Sequence, residues 1–420
     1  MDDLRIGNLI KAFTVVAFEL GVNDDDIVDR LNYWVMYGVF VSFGFTAATK
    51  QYVQEPIFCW LPFEYKDKQH KRYINYYCWT HTLYTQPFDS PMPVLEQDRY
   101  KHSISYYRWT TVFFLCLAML YRVPKFFWKE IKHFSGINVS KIIDMTLDTV
   151  KSSQEDRDKQ LGFVSEFLHR WITVYSHTSK SGKNTAGRRL APVTAWCGKR
   201  SGRFLTLVYL LTKTMYLVNV IVQFFLISSF LGLNFWTFGY SAVSALQEGE
   251  ALDDLFPRLA YCDFNLRQLA NTQPFTVQCV LTMAVFLEKM FLLLWVCLWL
   301  LLVANLCSLA KWTYQLTSQT KLREAVEKYT CMFDWADSGT GALTGKELSA
   351  LVRHYLRADG VFVIKMIESN TTTLLVSDLV RQIVLRYKQF VRENDVDNTS
   401  NGGLQMRREH LVLGKKDTII

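Results

Sequence analysis

The stretch "MFLLLWVCLWLLLVANLCSLA", Met290 to Ala310, decides the class of this protein. Wound as a helix it is apolar on every face, so it has no side to turn to water. At a rise of ~1.5 Å per residue, roughly 20 such residues cross a hydrocarbon layer ~30 Å thick, and this run is long enough. Backwards it extends to Val280, interrupted by Glu288 and Lys289. Charges are costly in lipid and default to a functional reading. Being adjacent, the two point about 100° apart on a helix, which argues against a pair with each other and for partners on neighbouring helices or in the headgroups.

Three more apolar clumps lie upstream: Tyr33 to Thr49, Trp109 to Tyr121, and Thr214 to Leu233 with a lead-in from Phe204 broken only by Lys213. The first two are short. Tyr33, Trp34, Tyr106, Tyr107 and Trp109 at their ends serve as interfacial anchors, with Arg108 and Arg122 snorkelling to the headgroups. The chain has 420 residues, 50% of them hydrophobic, and a net charge of +8, and its apolar residues are clumped rather than spread. The expected fold is an all-α polytopic membrane protein with four transmembrane helices. Residues 1–29 form an N-terminal segment, 30–49 the first span, 50–104 a connector, 105–124 the second span and 125–203 a long loop. The third span is 204–233, a second connector 234–281, the fourth span 282–310, a helical domain 311–392, and a polar tail 393–420 is expected to be disordered. No cleavable leader is read at the N-terminus, where Asp24, Asp25 and Asp26 form an acidic block.

An even number of spans puts both termini and the 125–203 loop on one side. Lys125, Lys129, Lys132, Lys199, Arg200 and Arg203 flank that loop, whereas the 234–281 connector carries Arg258 and Arg267 against five acids. Positive charge marks the cytosolic side, so both connectors face outward. Four of nine cysteines, Cys59, Cys78, Cys262 and Cys279, fall in those connectors. An even set in an oxidising compartment reads as two disulfides, in any of three connectivities. Neither pair has zinc spacing, and no metal or cofactor is expected.

At this point the chain resembles the innexins, invertebrate gap-junction subunits. The resemblance runs from about Asp29 to Tyr387 through "DRLNYWVM", "EPIFCWLPFEY" around Cys59, "NYYCWTHTLY" around Cys78, "YRVPKFFWK" around Pro124, "FPRLAYCDFN" around Cys262 and "DGVFVIKMI" in the tail. The family's YYQWV pentapeptide is replaced by "YYRWT", Tyr106, Tyr107, Arg108, Trp109 and Thr110, in which Arg108 stands for an amide and Thr110 for a Val. What the resemblance implies is disulfides Cys59 to Cys279 and Cys78 to Cys262, and a ring-shaped large-pore channel of self or other innexin subunits, octameric. That ring docks on an apposed hemichannel of the neighbouring cell at a plasma-membrane gap junction. Ions and small solutes pass by diffusion, without enzymatic chemistry. An unpaired pannexin-like hemichannel and a regulatory subunit of heteromeric channels are the alternatives.

Further residues invite a role. The N-terminal "RIGNLIKAFTVVAFEL" is amphipathic, and in the family it folds into the pore mouth, where Asp2, Asp3, Arg5, Asn8 and Lys11 would set the field on permeant ions. Pro124 predicts a kink or break in the second span. "ADSGTGALTGKEL", 336–348, has EF-hand spacing at Gly341 and Glu347 but no carboxylate at loop positions 1, 3 and 5, and is read as an ordinary loop. The terminal "DTII", through Thr418 and Ile420, fits a PDZ ligand. The basic "GRRLAPVTAWCGKR", 187–200, lies beside a membrane and suits anionic lipid rather than nucleic acid. No nucleotide-binding or catalytic pattern is present.

Overall fold

The computed structural model describes residues 25–61, 67–87, 91–149, 154–181, 202–248, 256–332 and 343–413. Helical backbone starts with α1 (Ile27–Arg30), a π-helical segment (Leu31–Met36), α2 (Tyr37–Ala48) and a second π-helical segment (Thr49–Val53). Next come β1 (Ile57–Cys59), α3 (Lys68–Thr80), β2 (Leu83–Tyr84), α4 (Glu96–Arg99) and β3 (Ser103–Ile104). The long helix α5 (Tyr106–His133) leads to α6 (Val139–Asp148), α7 (Gln154–Ser181), α8 (Phe204–Leu231) and α9 (Phe238–Glu248). Strands β4 (Leu259–Gln268) and β5 (Asn271–Leu281) precede α10 (Thr282–Thr317), α11 (Gln319–Thr330), α12 (Gly345–Ala350), a π-helical segment (Leu351–Leu356), α13 (Arg357–Asn370) and α14 (Thr373–Leu413).

Three of these helices, α5, α8 and α10, are long and apolar enough to cross a membrane. The clump at Tyr33 to Thr49 is helical throughout, but its α-helix is bounded at both ends by π-helical turns. Pro124 lies inside α5, which continues to His133, so the expected break is absent. Tyr121 and Trp128 on either side of Pro124 are fully buried, and their packing outweighs the ~3 kcal/mol that an interior proline costs a helix.

The chain divides into two units. The first is built from Ile27–Phe126 and Lys213–Ser308. Its interior is aromatic: Phe40 lies 5.5 Å from Tyr121 and 6.3 Å from Phe114, Phe114 lies 5.4 Å from Phe291, and Phe113 stacks on Phe230 at 3.8 Å. The expectation of an all-α fold is corrected here, because this unit also holds a five-stranded antiparallel sheet in the order β1-β5-β4-β2-β3. Along β4 the buried residues are Ala260, Cys262 and Phe264, and along β5 Val277, Cys279 and Leu281. That period of two is the mark of a strand with one covered face.

The second unit takes the described parts of Phe127–Thr212 and Leu309–Ile420, with Asp26. Its core gathers Trp128 of α5, Tyr209 of α8, Trp312 of α10 and Phe362 of α13, with Trp128 to Tyr209 at 5.3 Å, Tyr209 to Phe362 at 5.0 Å and Tyr209 to Trp312 at 5.1 Å. Helix α13 carries "GVFVI" buried on all sides, which a helix tolerates only when neighbours surround it. Helix α14 continues past Arg392 to Leu413, where the polar composition predicts disorder; that stretch contains no proline, so nothing in it interrupts the helical hydrogen-bond ladder. The calcium-like spacing resolves where it is described: Glu347 accepts hydrogen bonds from the Thr344 amide (2.8 Å) and hydroxyl (2.9 Å), which makes it part of the capping box of α12. These bonds hold its carboxyl below the usual range.

One histidine makes this unit sensitive to acid. His169 Nδ1 lies 2.6 Å from the Tyr355 hydroxyl, and its ring packs against Tyr355 and Phe390. Burial holds its pKa below the ordinary value, and the Arg386 and Arg170 charges push the same way against Glu166 and Glu393. A depressed histidine is bound to a proton in the unfolded chain before it is in the folded one, so stability is complete above about pH 6.5 and falls as pH drops below it. The thermal midpoint of the protein should therefore decrease from pH 7 to about pH 5.5, and His169→Gln should flatten that slope.

Candidate functional site

The sheet of the first unit is built from both connectors, and two disulfides fasten it. Cys59 of β1 bonds to Cys279 of β5, its direct antiparallel partner, and Cys78 of α3 bonds to Cys262 of β4. Both bridges join one connector to the other, across sequence separations of 220 and 184 residues. Of the three connectivities the sequence allows, this is the one that the family resemblance implies. The sulfurs of Cys59, Cys78 and Cys279 lie within 4.8 Å of one another, but each is committed to a disulfide and offers no thiolate to a metal.

Asp263, next to Cys262, holds the sheet's far side together. Its carboxylate accepts hydrogen bonds from Tyr84 Oη (2.9 Å) and Thr276 Oγ1 (2.7 Å), and pairs with Arg99 Nη1 at 3.0 Å. Burial and the Asp263 acceptor both raise the Tyr84 pKa, so this phenol stays a donor at any physiological pH. Sequence reading counted Asp263 only as one acid among several. Its position in "AYCDFN", directly after a cysteine on an alternating strand, was the available signal.

The pentapeptide at the head of α5 meets this sheet-bearing region through Tyr107, which is buried and 4.8 Å from the Trp79 ring. Tyr106 packs edge-on against Phe230 and Phe256. Thr110 turns inward and its hydroxyl donates to the Tyr106 carbonyl at 3.2 Å, while Trp109 is exposed. Arg108 donates through Nη1 to the carbonyl of Thr80, the last residue of α3. A cation there complements the negative end of that helix. The Arg108 carbonyl in turn accepts from Gln51 Nε2 at 2.9 Å, and Thr111 Oγ1 donates to Gln51 Oε1 at 3.0 Å. The cation that departs from the family pattern therefore has a structural use, and Arg108→Gln should leave ion selectivity unchanged while lowering stability by about 0.3–1 kcal/mol, read as reversal potential and thermal midpoint.

Polar groups also join the apolar helices. Lys213 of α8 and Asp29 of α1 form an ion pair at 3.0 Å, each only 2% exposed, and Lys213 Nζ also donates to Ser308 Oγ of α10 at 2.7 Å. One turn on, Asn32 and Asn305 exchange amide hydrogen bonds of 2.9 and 3.1 Å. Arg122 lies 4.3 Å over the Tyr37 ring and Lys125 4.8 Å from the Tyr33 ring. The expectation that Glu288 and Lys289 would not pair is corrected. Lys289 Nζ lies 2.8 Å from Glu288 Oε1, and Arg258 Nη2 lies 3.3 Å from Oε2. The four-carbon lysine stem bends across the angular offset between neighbouring helical positions.

The innexin family profile matches residues 25–387. The chain belongs to the innexin family. Among relatives, Innexin unc-9 of Caenorhabditis elegans is 31% identical over 87% of this chain and 92% of its own length. Innexin-11 of the same organism is 29% identical over 93% and 85%, and Innexin eat-5 26% identical over 89% and 91%. This innexin is a gap-junction channel subunit, a channel protein of the plasma membrane, and its partners are innexins. Its candidate pore residues Asp2, Asp3, Arg5, Asn8 and Lys11 and its terminal Thr418 and Ile420 lie outside the described residues, as does the basic 187–200 stretch.

Proposed function

We propose that this innexin crosses the plasma membrane four times, through Ile27–Val53, α5, α8 and α10, with both termini and the 125–203 loop in the cytosol. The observation that carries this reading is the pair of disulfides between connectors. Such bridges form in an oxidising compartment, so both connectors belong outside, and a helix must cross on each side of each connector. The basic flanks of the 125–203 loop agree in sign.

Eight copies form the ring, and the connectors of one ring meet those of a ring on the apposed cell. Asp2, Asp3, Arg5, Asn8 and Lys11 face the pore mouth, where rings of charge bias the passing ions, and Thr418 and Ile420 engage a PDZ domain. The experiment is electrical recording from paired cells that express only this chain. Coupling between the cells is the expected result. Single-membrane current without coupling would favour an unpaired channel, and silence relieved by a second innexin would favour a regulatory subunit. Impermeant labelling of an epitope beside Asn271, with an epitope beside Arg188 protected, tests the orientation; the opposite pattern would sink it.

A further inference from the structure

A cavity of about 220 Å³ opens at the end where α8 starts and α10 finishes. It has room for about seven waters at ~30 Å³ each, enough for a phosphate with its glycerol ester. Its walls are Leu207 and Leu210 of α8 and Leu316 of α10, with Ala358 beneath. Its polar lining includes Arg203, Thr317 and Gln319, and all three side chains are exposed. Among the described residues none of the three side chains has a hydrogen-bond or ion-pair partner. A guanidinium, a hydroxyl and an amide thus share the lining, with no acid among the described lining residues. The nearby carboxylate, Asp359, is already engaged: Oδ1 accepts from the Thr206 amide at 2.9 Å and hydroxyl at 2.8 Å.

The position of the cavity fits its chemistry. Helix α8 has 28 residues and is about 42 Å long, which matches the ~40–45 Å of a bilayer with its headgroups. Arg203, the residue before its first turn, therefore falls at headgroup height. Arg203 supplies a forked donor suited to phosphate, and leucines that continue up the helix supply an apolar wall suited to acyl chains.

We propose that this cavity binds the headgroup of an anionic phospholipid, with the phosphate on Arg203, Thr317 and Gln319 and the chains along Leu207 and Leu210. The proposal rests on α8 and α10 crossing the membrane. Purified full-length protein in detergent, equilibrated with equal amounts of phosphatidylglycerol and phosphatidylcholine, reports it through the lipid retained in native mass spectrometry. Phosphatidylglycerol should be retained about tenfold over phosphatidylcholine, since a charge-assisted hydrogen bond is worth roughly that ratio. Arg203→Gln should bring the ratio to parity. Leu207→Trp, which fills the cavity and keeps the charge, should do the same.

Equal retention of the two lipids by the unsubstituted protein would overturn the proposal, as would an undiminished preference in Arg203→Gln. A preference lost in Arg203→Gln but kept in Leu207→Trp would reduce the effect to surface charge and also overturn it. Displacement of the lipid by millimolar inorganic phosphate would assign the site to free phosphate instead. Carbonate-resistant pelleting of the same chain from cells tests the membrane crossing separately, so the two failures are distinguishable.

Discussion

Cys262→Ala is expected to abolish coupling between paired cells. The Cys78–Cys262 bridge fixes α3 to β4, and the second bridge, Cys59–Cys279, lies beside it and joins β1 to β5, the strand next to β4. Each closes a loop far longer than 100 residues, for which the chain-entropy account gives a stabilisation near 5 kcal/mol and measured losses run about 2–5 kcal/mol. The sheet has little else to hold its edge: β2 and β3 contribute two residues each. Without the bridge, α3, which carries Trp79 against Tyr107, is tied to the strands by Asn75, whose Oδ1 accepts from the Cys59 amide at 3.1 Å, and by Tyr77 packed edge-on against Phe264. The outer surface proposed to meet the channel of the apposed cell then loses its shape. Junctional conductance between two cells is the measurement, with surface biotinylation to confirm delivery and Cys116→Ala, at an exposed free thiol on α5, as the control. A Cys78→Ala, Cys262→Ala double variant removes the orphan thiol, and coupling at the unsubstituted level in either variant would refute the clamp.

Much of this was legible in the residues for one reason: lipid imposes a pattern that soluble folding does not. Runs such as Met290 to Ala310 admit no amphipathic reading, and a helix follows from that alone. The sheet was harder, because "LAYCDFNLRQ" and "NTQPFTVQCVL" alternate cleanly but sit in a connector whose polarity invites the word loop. Period two was there to be counted. At Pro124 the break that a missing amide suggests does not form, and buried neighbours, Tyr121 and Trp128, stand on both sides. For Glu288 and Lys289 the backbone angle between adjacent positions was right, but it does not govern where a flexible ammonium ends. Asp29 could not be singled out, since its role depends on a partner more than 150 residues away, Lys213. Sequence spacing carries no information about such meetings.

The pair Lys213 and Asp29 leads to the second large effect. Lys213→Met is expected to lower the yield of assembled channel severely, and the reason is asymmetry rather than the strength of the pair. Two ions removed from water repay their desolvation only through each other and through further hydrogen bonds, here from Lys213 to Ser308. With the ammonium gone, Asp29 keeps its full desolvation cost and has lost its counter-ion, a penalty of about 3–5 kcal/mol, comparable with the total stability of many domains. Asp29→Asn removes the other charge and takes from Lys213 its ion-pair partner in the same way. Removing both charges together, in Asp29→Asn with Lys213→Met, leaves neither ion of the pair buried, and its cost should be less than that of either single variant. This sign of non-additivity is the decisive readout. Size-exclusion profiles and thermal midpoints of detergent-purified protein measure it for the four forms. If the double variant is as damaged as the sum of the singles, the two residues act independently and the ion pair does not unite α1 with α8. If it recovers, the contact is one that the fold tolerates only as a pair, and the reciprocal amides of Asn32 and Asn305 one turn away become the next pair to treat in the same manner.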